Sequence, residues 1–254
     1  MITLKLLSVD WDFCFPVNLL TDWGTLDENV FALDLIWNMR KTYMLREENN
    51  NRLKFIPIDE AFADYSLIPT PFIEHAGIAE SHSAAFEYFS NIIEEKCPDK
   101  VLIYNYDLHH DVWPYKVSYR DKRWFDDIEP GDYVQAQNWL RALVEENLEI
   151  NFKITQVVPT WAEWQGHSIG AYKDEKHIKD LPENVEYKRK VAGTFTFPWS
   201  SVDSFFICRS GSWVPPSLDK EFLKLTKKFL LKISSIDNII QYCRGEYCPL
   251  VPRR

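Results

Sequence analysis

Five short runs of apolar, largely β-branched and aromatic residues stand out along the chain: Ile2 to Val9, Leu53 to Ile58, Val101 to Tyr106, Ile150 to Val158 and Val202 to Cys208. Their apolar character is nearly continuous rather than alternating, which predicts strands covered on both faces, as in a parallel sheet. Between them the apolar positions change to helical spacing. Ala84 to Cys97 carries Ala85, Tyr88, Phe89, Ile92 and Ile93 on one stripe, with Ser81 or Ser83 as N-cap. Val134 to Glu146 and Leu218 to Ile233 have the same period, the latter with a lysine-rich last turn that suits a helix C-terminus. Strands alternating with helices predict an α/β domain with a mainly parallel central sheet flanked by helices. No repeat, low-complexity tract or long linker divides the sequence, so a single domain over residues 1–254 is expected.

Composition narrows the class. The 254 residues are 46% hydrophobic and 15% aromatic, ample for one large core. No apolar stretch is long enough to span a membrane, and the N-terminal run meets Asp10 and Asp12 too soon for a secretory signal, so a cytoplasmic protein without membrane partners is expected. Five scattered cysteines, Cys14, Cys97, Cys208, Cys243 and Cys248, suit a reducing compartment, and Cys243 and Cys248 lie too far apart for a Cys-x-x-Cys pair. A net charge of −9 argues against nucleic acid as a partner.

The candidate chemistry lies where strands end. Asp107-Leu108-His109-His110-Asp111 closes the third run. In extended backbone, residues two apart share a face, so Asp107, His109 and Asp111 converge while Leu108 and His110 turn away. Ser8-Val9-Asp10-Trp11-Asp12 ends the first run with two carboxylates on one face, and Glu80-Ser81-His82-Ser83 sets an imidazole just before a helix. Taken singly, an Asp-x-Asp is more often a turn or capping feature, and a lone histidine at a helix start is more often structural. The Asp-x-His-x-Asp run resists that reading, because burying two carboxylates with an imidazole is costly without a cation. Asp10, Asp12, His82, Asp107, His109 and Asp111 together exceed what one tetrahedral zinc needs and suit two divalent ions. The oxygen-rich set points to two Mn2+, with zinc, iron or cobalt as alternatives. Two adjacent ions can share a water and lower its pKa, which implies hydrolysis.

These motifs resemble those of the arginase and deacetylase superfamily, and in particular its dinuclear manganese ureohydrolases, which carry Gly-Asp-His-Ser-type, Asp-x-His-x-Asp and Ser-x-Asp-x-Asp motifs. The His-Ser half of the first is present at His82-Ser83, the second is complete at Asp107 to Asp111, and the third is complete at Ser8 to Asp12. The resemblance implies a three-layer domain. It also implies one ion on His82, Asp107, Asp111 and Asp10 and the other on His109, Asp12, Asp107 and Asp10, with Asp107 and Asp10 bridging. This sequence departs from the family in placing Ser-x-Asp-x-Asp first instead of last, as in a circular permutation. It also has Phe15-Pro16 where Asp-Pro is usual, and Glu80 alters the context before His82.

The permuted order, Asn138-Trp139-Leu140 and the Arg209-Ser210-Gly211-Ser212-Trp213-Val214-Pro215-Pro216 loop resemble a divergent branch that includes the peptide arginases. Those enzymes convert arginine side chains in ribosomally made precursor peptides to ornithine and release urea. The resemblance therefore implies a metal-bridging hydroxide attacking the guanidinium carbon, and an arginine-containing peptide as partner, with Asn138 and Arg209 as substrate-binding candidates. The leaving amine needs a proton, for which His167, in a loop expected to form a pocket, is preferred to His110. A guanidinium anchor should be a carboxylate at a neighbouring strand end, which nominates Asp59 and Glu60, with Glu163 as the alternative. Two other readings stay open. One is a mononuclear zinc deacetylase of the same superfamily, which would not need Asp12 and Asp111. The other is a non-catalytic peptide-binding protein stapled by metal.

Overall fold

The computed structural model describes residues 1–14, 73–113, 134–159, 175–192, 202–211, 214, 218–231, 233–242 and 249–250. Within them, seven strands form an all-parallel sheet: β1 (Thr3–Asp10), β2 (His75–Ala79), β3 (Lys100–Tyr106), β4 (Asn151–Val158), β5 (Val185–Val191), β6 (Ser204–Cys208) and β7 (Ile239–Tyr242). Their spatial order is β5-β4-β3-β1-β6-β2-β7. Four helices accompany them: α1 (Ala84–Lys96), α2 (Trp139–Glu145), α3 (Glu175–Lys179) and α4 (Asp219–Leu230).

The sheet is sandwiched because its central strands are apolar on both faces. On one face Leu4, Leu6, Val101, Ile103, Ile154 and Phe206 pack against Ala85, Tyr88, Phe89, Ile92 and Ile93 of α1 and Trp139, Leu140, Leu143 and Val144 of α2. On the other, Leu7, Val9, Ile78, Phe205 and Ile207 meet Phe222, Leu225 and Phe229 of α4. This is a three-layer α/β arrangement, with the predicted stripe of α1 turned to the sheet. Gly77 in β2 makes the close approach of α1 possible. A Cβ there would lie 2.7 Å from Phe206 and 2.9 Å from Tyr88, whose hydroxyl reaches Ser204 Oγ at 2.7 Å.

Four of the five predicted strands are present with small shifts at their ends, whereas Leu53 to Ile58 lies outside the described residues. Three strands carry no such run. β2 (His-Ala-Gly-Ile-Ala) is too short and small-sided to stand out. β5 and β7 lie at the sheet's edges, where half-exposed positions accept charge and break the apolar run. The predicted helix over Val134 to Glu146 begins only at Trp139, because Asn138 Oδ1 accepts the Gln135 N–H at 2.7 Å and holds the preceding residues in a turn. No described helix is long and apolar enough to cross a membrane.

Candidate metal centre

All strands point the same way, so their C-terminal ends form one rim, the side of an open parallel sheet where ligands bind. β1 is the central strand. In register, Val9 faces Tyr106 of β3, so Asp10 and Asp107 leave adjacent strands at the same level, and Asp10 pairs with Cys208 of β6 on the other side. His82 arrives from the turn between β2 and α1 and is completely buried.

These elements bring all six predicted ligands together in two groups. His82 Nδ1 lies 3.3 Å from Asp10 Oδ2, 3.1 Å from Asp107 Oδ2 and 3.2 Å from Asp111 Oδ2. His109 Nδ1 lies 3.4 Å from Asp12 Oδ2 and 3.5 Å from Asp107 Oδ1. Asp107 therefore gives one oxygen to each group. The ligand atoms of His82, Asp107 and Asp111, and those of Asp12, Asp107 and His109, each cluster within 4.8 Å.

The route to convergence differs from the one expected. The Asp-x-His-x-Asp segment is not extended: β3 stops at Tyr106, the chain bends through Leu108 and His109, and Asp111 adopts a left-handed φ of 54°. Likewise Asp12 is not on the strand face but in a 3-10 turn over Trp11–Cys14, where its N–H donates to Asp10 Oδ1 at 3.2 Å. Alternation on an extended strand would leave three parallel side chains, whereas the bend wraps them around two centres. A left-handed aspartate is a mild backbone strain of the kind that collects at functional sites.

Neighbouring groups hold five of the six candidate ligands, all but Asp12. A polar row crosses four strands one step below the carboxylates, since Ser8, Asn105, Gln156 and Arg189 are in mutual register. Ser8 Oγ lies 2.6 Å from His82 Nε2, leaving Nδ1 for the carboxylates. Gln156 Nε2 donates to the carbonyls of Asp107, Leu108 and His109 at 3.3, 3.3 and 2.7 Å, and its Oε1 accepts from Tyr187 and Arg189 at 2.8 and 3.0 Å. Asn105 Nδ2 lies 3.5 Å from Asp107 Oδ2 and 3.4 Å from Asp111 Oδ2, the Trp139 indole N–H donates to Asp111 Oδ2 at 2.7 Å, and Ser210 Oγ donates to Asp10 Oδ1. Sequence reading singled out none of Asn105, Gln156, Trp139 or Ser210 as a site residue. The signal for the first two was a polar amide inside a buried apolar strand, which requires buried partners.

The electrostatics fit a cation site. Burial disfavours a charged His82, yet Asp10, Asp107 and Asp111 hold its pKa well above the ordinary value; Asp107 and Asp12 do the same for His109 against the same penalty. Burial also opposes ionisation of Asp107, but His109 and His82 keep it far below the usual carboxylate range. Asp12 is pushed up to about 7, first by burial and then by Asp10, and Asp111 is raised by burial and by Asp107. Two of the six candidate ligands have buried polar atoms without ordinary hydrogen bonds. Among the described residues His82 Nδ1 has none despite its three oxygen neighbours, and both buried oxygens of Asp12 have none. Nitrogen and oxygen atoms gathered around a point without bonding one another are the pattern of a coordination shell. Two divalent cations would balance the four carboxylates with both imidazoles neutral. The residues fit such a pair, and Asp107 would be shared between the ions. Of the six, only His109 has appreciable solvent access, with 29% of its side chain exposed, so the His109 side is the open one.

The remaining candidates divide. Asp59, Glu60, Glu163 and His167 lie outside the described residues. His110 is buried, accepts the Val112 N–H on Nδ1 at 3.1 Å and stacks with Trp113 at a centroid distance of 6.1 Å. Asn138 is buried at the start of α2. Arg209 is completely buried and forms an ion triad: Nε and an Nη donate to Glu80 Oε2 at 2.9 and 2.6 Å, and the other Nη to Asp219 Oδ2 at 3.3 Å. That triad ties the ends of β2 and β6 to the start of α4, immediately beside His82 and Ser210. No protein-family model, curated protein or solved structure matches the chain.

Proposed function

We propose that this protein is a dinuclear manganese hydrolase of the ureohydrolase type, acting on arginine side chains, within a precursor peptide, to give ornithine and urea. The observation that carries the reading is Asp107, whose two carboxylate oxygens are divided between a His82 group and a His109 group. A mononuclear deacetylase has no use for the second group, in which Asp12 is buried against His109. The donor set, mostly carboxylate oxygen, favours manganese over softer ions. The arginine substrate and its peptide context rest on the motif resemblance. The leading position of Ser8 to Asp12 is compatible with it, because β1 lies beside β3 whatever the chain order.

Two divalent cations bound there would supply a hydrolytic nucleophile from water and positive charge beside the reacting carbon. The chain's own residues do the rest. Asp107 keeps the two ion positions adjacent, and Ser8, Ser210, Trp139 and Gln156 hold the ligands so that little reorganisation is needed during reaction. Substrate enters on the His109 side. Addition of water to the guanidinium carbon and cleavage of its bond to the side-chain nitrogen give urea and a primary amine, which must take up a proton. We assign that delivery to His167, since His110 is turned into the cluster with Trp113, and guanidinium anchoring to Asp59, Glu60 or Glu163.

Incubating the manganese-loaded chain with an arginine-containing peptide, free arginine and an acetyl-lysine peptide, followed by mass analysis, tests the reading. Loss of 42 Da-scale mass from the arginine peptide, on the order of one urea less one water, is expected together with urea. Release of acetate alone would replace the reading with deacetylation.

A further inference from the structure

Among the described residues, Cys208 is a metal-binding thiol at the rim that the proposed chemistry does not use. It ends β6, in register with Asp10 of β1 and Ala79 of β2. It is completely buried and takes part in no disulfide; its Sγ lies 3.3 Å from Ser210 Oγ, the hydroxyl that also donates to Asp10. Ser210 reaches both neighbours from a left-handed backbone, φ 49°. A ligand nitrogen of His82, a carboxylate oxygen of Asp10 and the Cys208 sulfur all lie within 4.8 Å of one another. The His82 imidazole is fully buried, and its Nδ1 has no hydrogen-bond partner among the described residues.

We propose that Asp10, His82 and Cys208 form an alternative, sulfur-containing site that captures thiophilic divalent cations such as zinc or cadmium, in competition with manganese. This rests on the metal-centre reading but not on arginine chemistry. Thiolate, imidazole and one carboxylate suit zinc or cadmium, whereas His82 with three carboxylates suits manganese. His82 and Asp10 belong to both sets, so one ion excludes the other on this side. Asp12 and His109 take no part in the competition. Binding forms the sulfur–metal bond as the thiol proton leaves to the buffer, while His82 and Asp10 contribute lone pairs. The centre would thus be open to mismetallation at one ion position only.

The test titrates Cd2+ into the full chain stripped of metal, following the ultraviolet absorption of a cadmium–thiolate bond. One Cd2+ per chain should develop the band, and saturating Mn2+ added first should suppress it. Cys208→Ser, nearly isosteric, should abolish the band and weaken Cd2+ binding by about tenfold or more, and His82→Ala should weaken it as well. Cys97→Ser, at an exposed position, should keep it. A band that survives in Cys208→Ser, one indifferent to Mn2+, or none in the unmodified chain would overturn the proposal. If Cys208→Ser does not fold, protection of Cys208 from alkylation by Cd2+ in the unmodified chain, mapped by mass spectrometry, gives the same decision. Urea release is not measured, so a failed arginase reading and a failed Cys208 site are told apart.

Discussion

Replacing Trp139 by phenylalanine should weaken one ion position and spare the other. The indole packs against His82 and Phe89, with ring centroids at 4.9 and 5.7 Å, and phenylalanine keeps most of that contact. It loses the N–H that donates to Asp111 Oδ2 at 2.7 Å. Of the other polar neighbours of Oδ2, Asn105 Nδ2 at 3.4 Å is too distant to substitute, and His82 Nδ1 at 3.2 Å belongs to the same candidate ion position. A buried hydrogen bond to a charged group contributes about 1.5–3 kcal/mol, and removing an orienting partner of a metal ligand typically lowers affinity roughly ten- to a hundredfold. The loss falls on the His82 and Asp111 side, since Trp139 has no bond to Asp12 or His109 among those described. Calorimetric titration of Mn2+ into stripped protein should show one of the two sites retained and the other weakened. The volume removed from the core shows separately, as a lower melting temperature of the metal-free protein. Equal weakening of both sites would mean general loosening, and no weakening would mean that Asp111 binds no ion; either result refutes the reasoning.

Asp12→Ala should reduce manganese from two ions to one per chain and abolish urea release while the fold persists, as read by elemental analysis and circular dichroism. For pH, His82 and His109 have raised pKa values, so their stabilisation of the metal-free protein is complete below their ordinary value of 6.5 and fades as pH rises. Asp12, raised from 3.8 to about 7, acts with the same sign between those values. Stripped protein should therefore melt at lower temperature at about pH 8 than at about pH 6, whereas manganese-loaded protein should lose stability on acidification as protons compete for the ligands; a stripped protein that gains stability up to pH 8 would contradict this. Arg209→Met removes the guanidinium that pairs with the buried carboxylates of Glu80 and Asp219 and should cost about 3–5 kcal/mol in denaturant unfolding. Gly77→Ala should cost roughly 1–3 kcal/mol by overpacking Phe206 and Tyr88, yet leave two ions bound.

Strands buried on both faces left long apolar runs, so β1, β3, β4 and β6 were legible in the sequence, as was the apolar stripe of α1. The edges were not: β5 alternates half-exposed and exposed residues, and β7 is only four residues long. The six residues of the candidate centre were legible because aspartate and histidine in close spacing at a strand end have few other uses. How they converge was not, since it depends on the left-handed turn at Asp111 and the 3-10 turn at Asp12, neither of which a period-two pattern carries. The residues that hold the ligands were hidden for a different reason. Gln156 reaches the Asp107 loop only through the register of β3 and β4, and Arg209 meets Glu80 across 129 positions of sequence.

Anomalous X-ray scattering from crystals grown with Mn2+ tests the dinuclear centre most directly. Two peaks are expected, one among His82, Asp10, Asp107 and Asp111 and one among His109, Asp12 and Asp107, with the Asp107 carboxylate between them. A single peak, or manganese bound elsewhere with His82 still facing its three carboxylates, would contradict it.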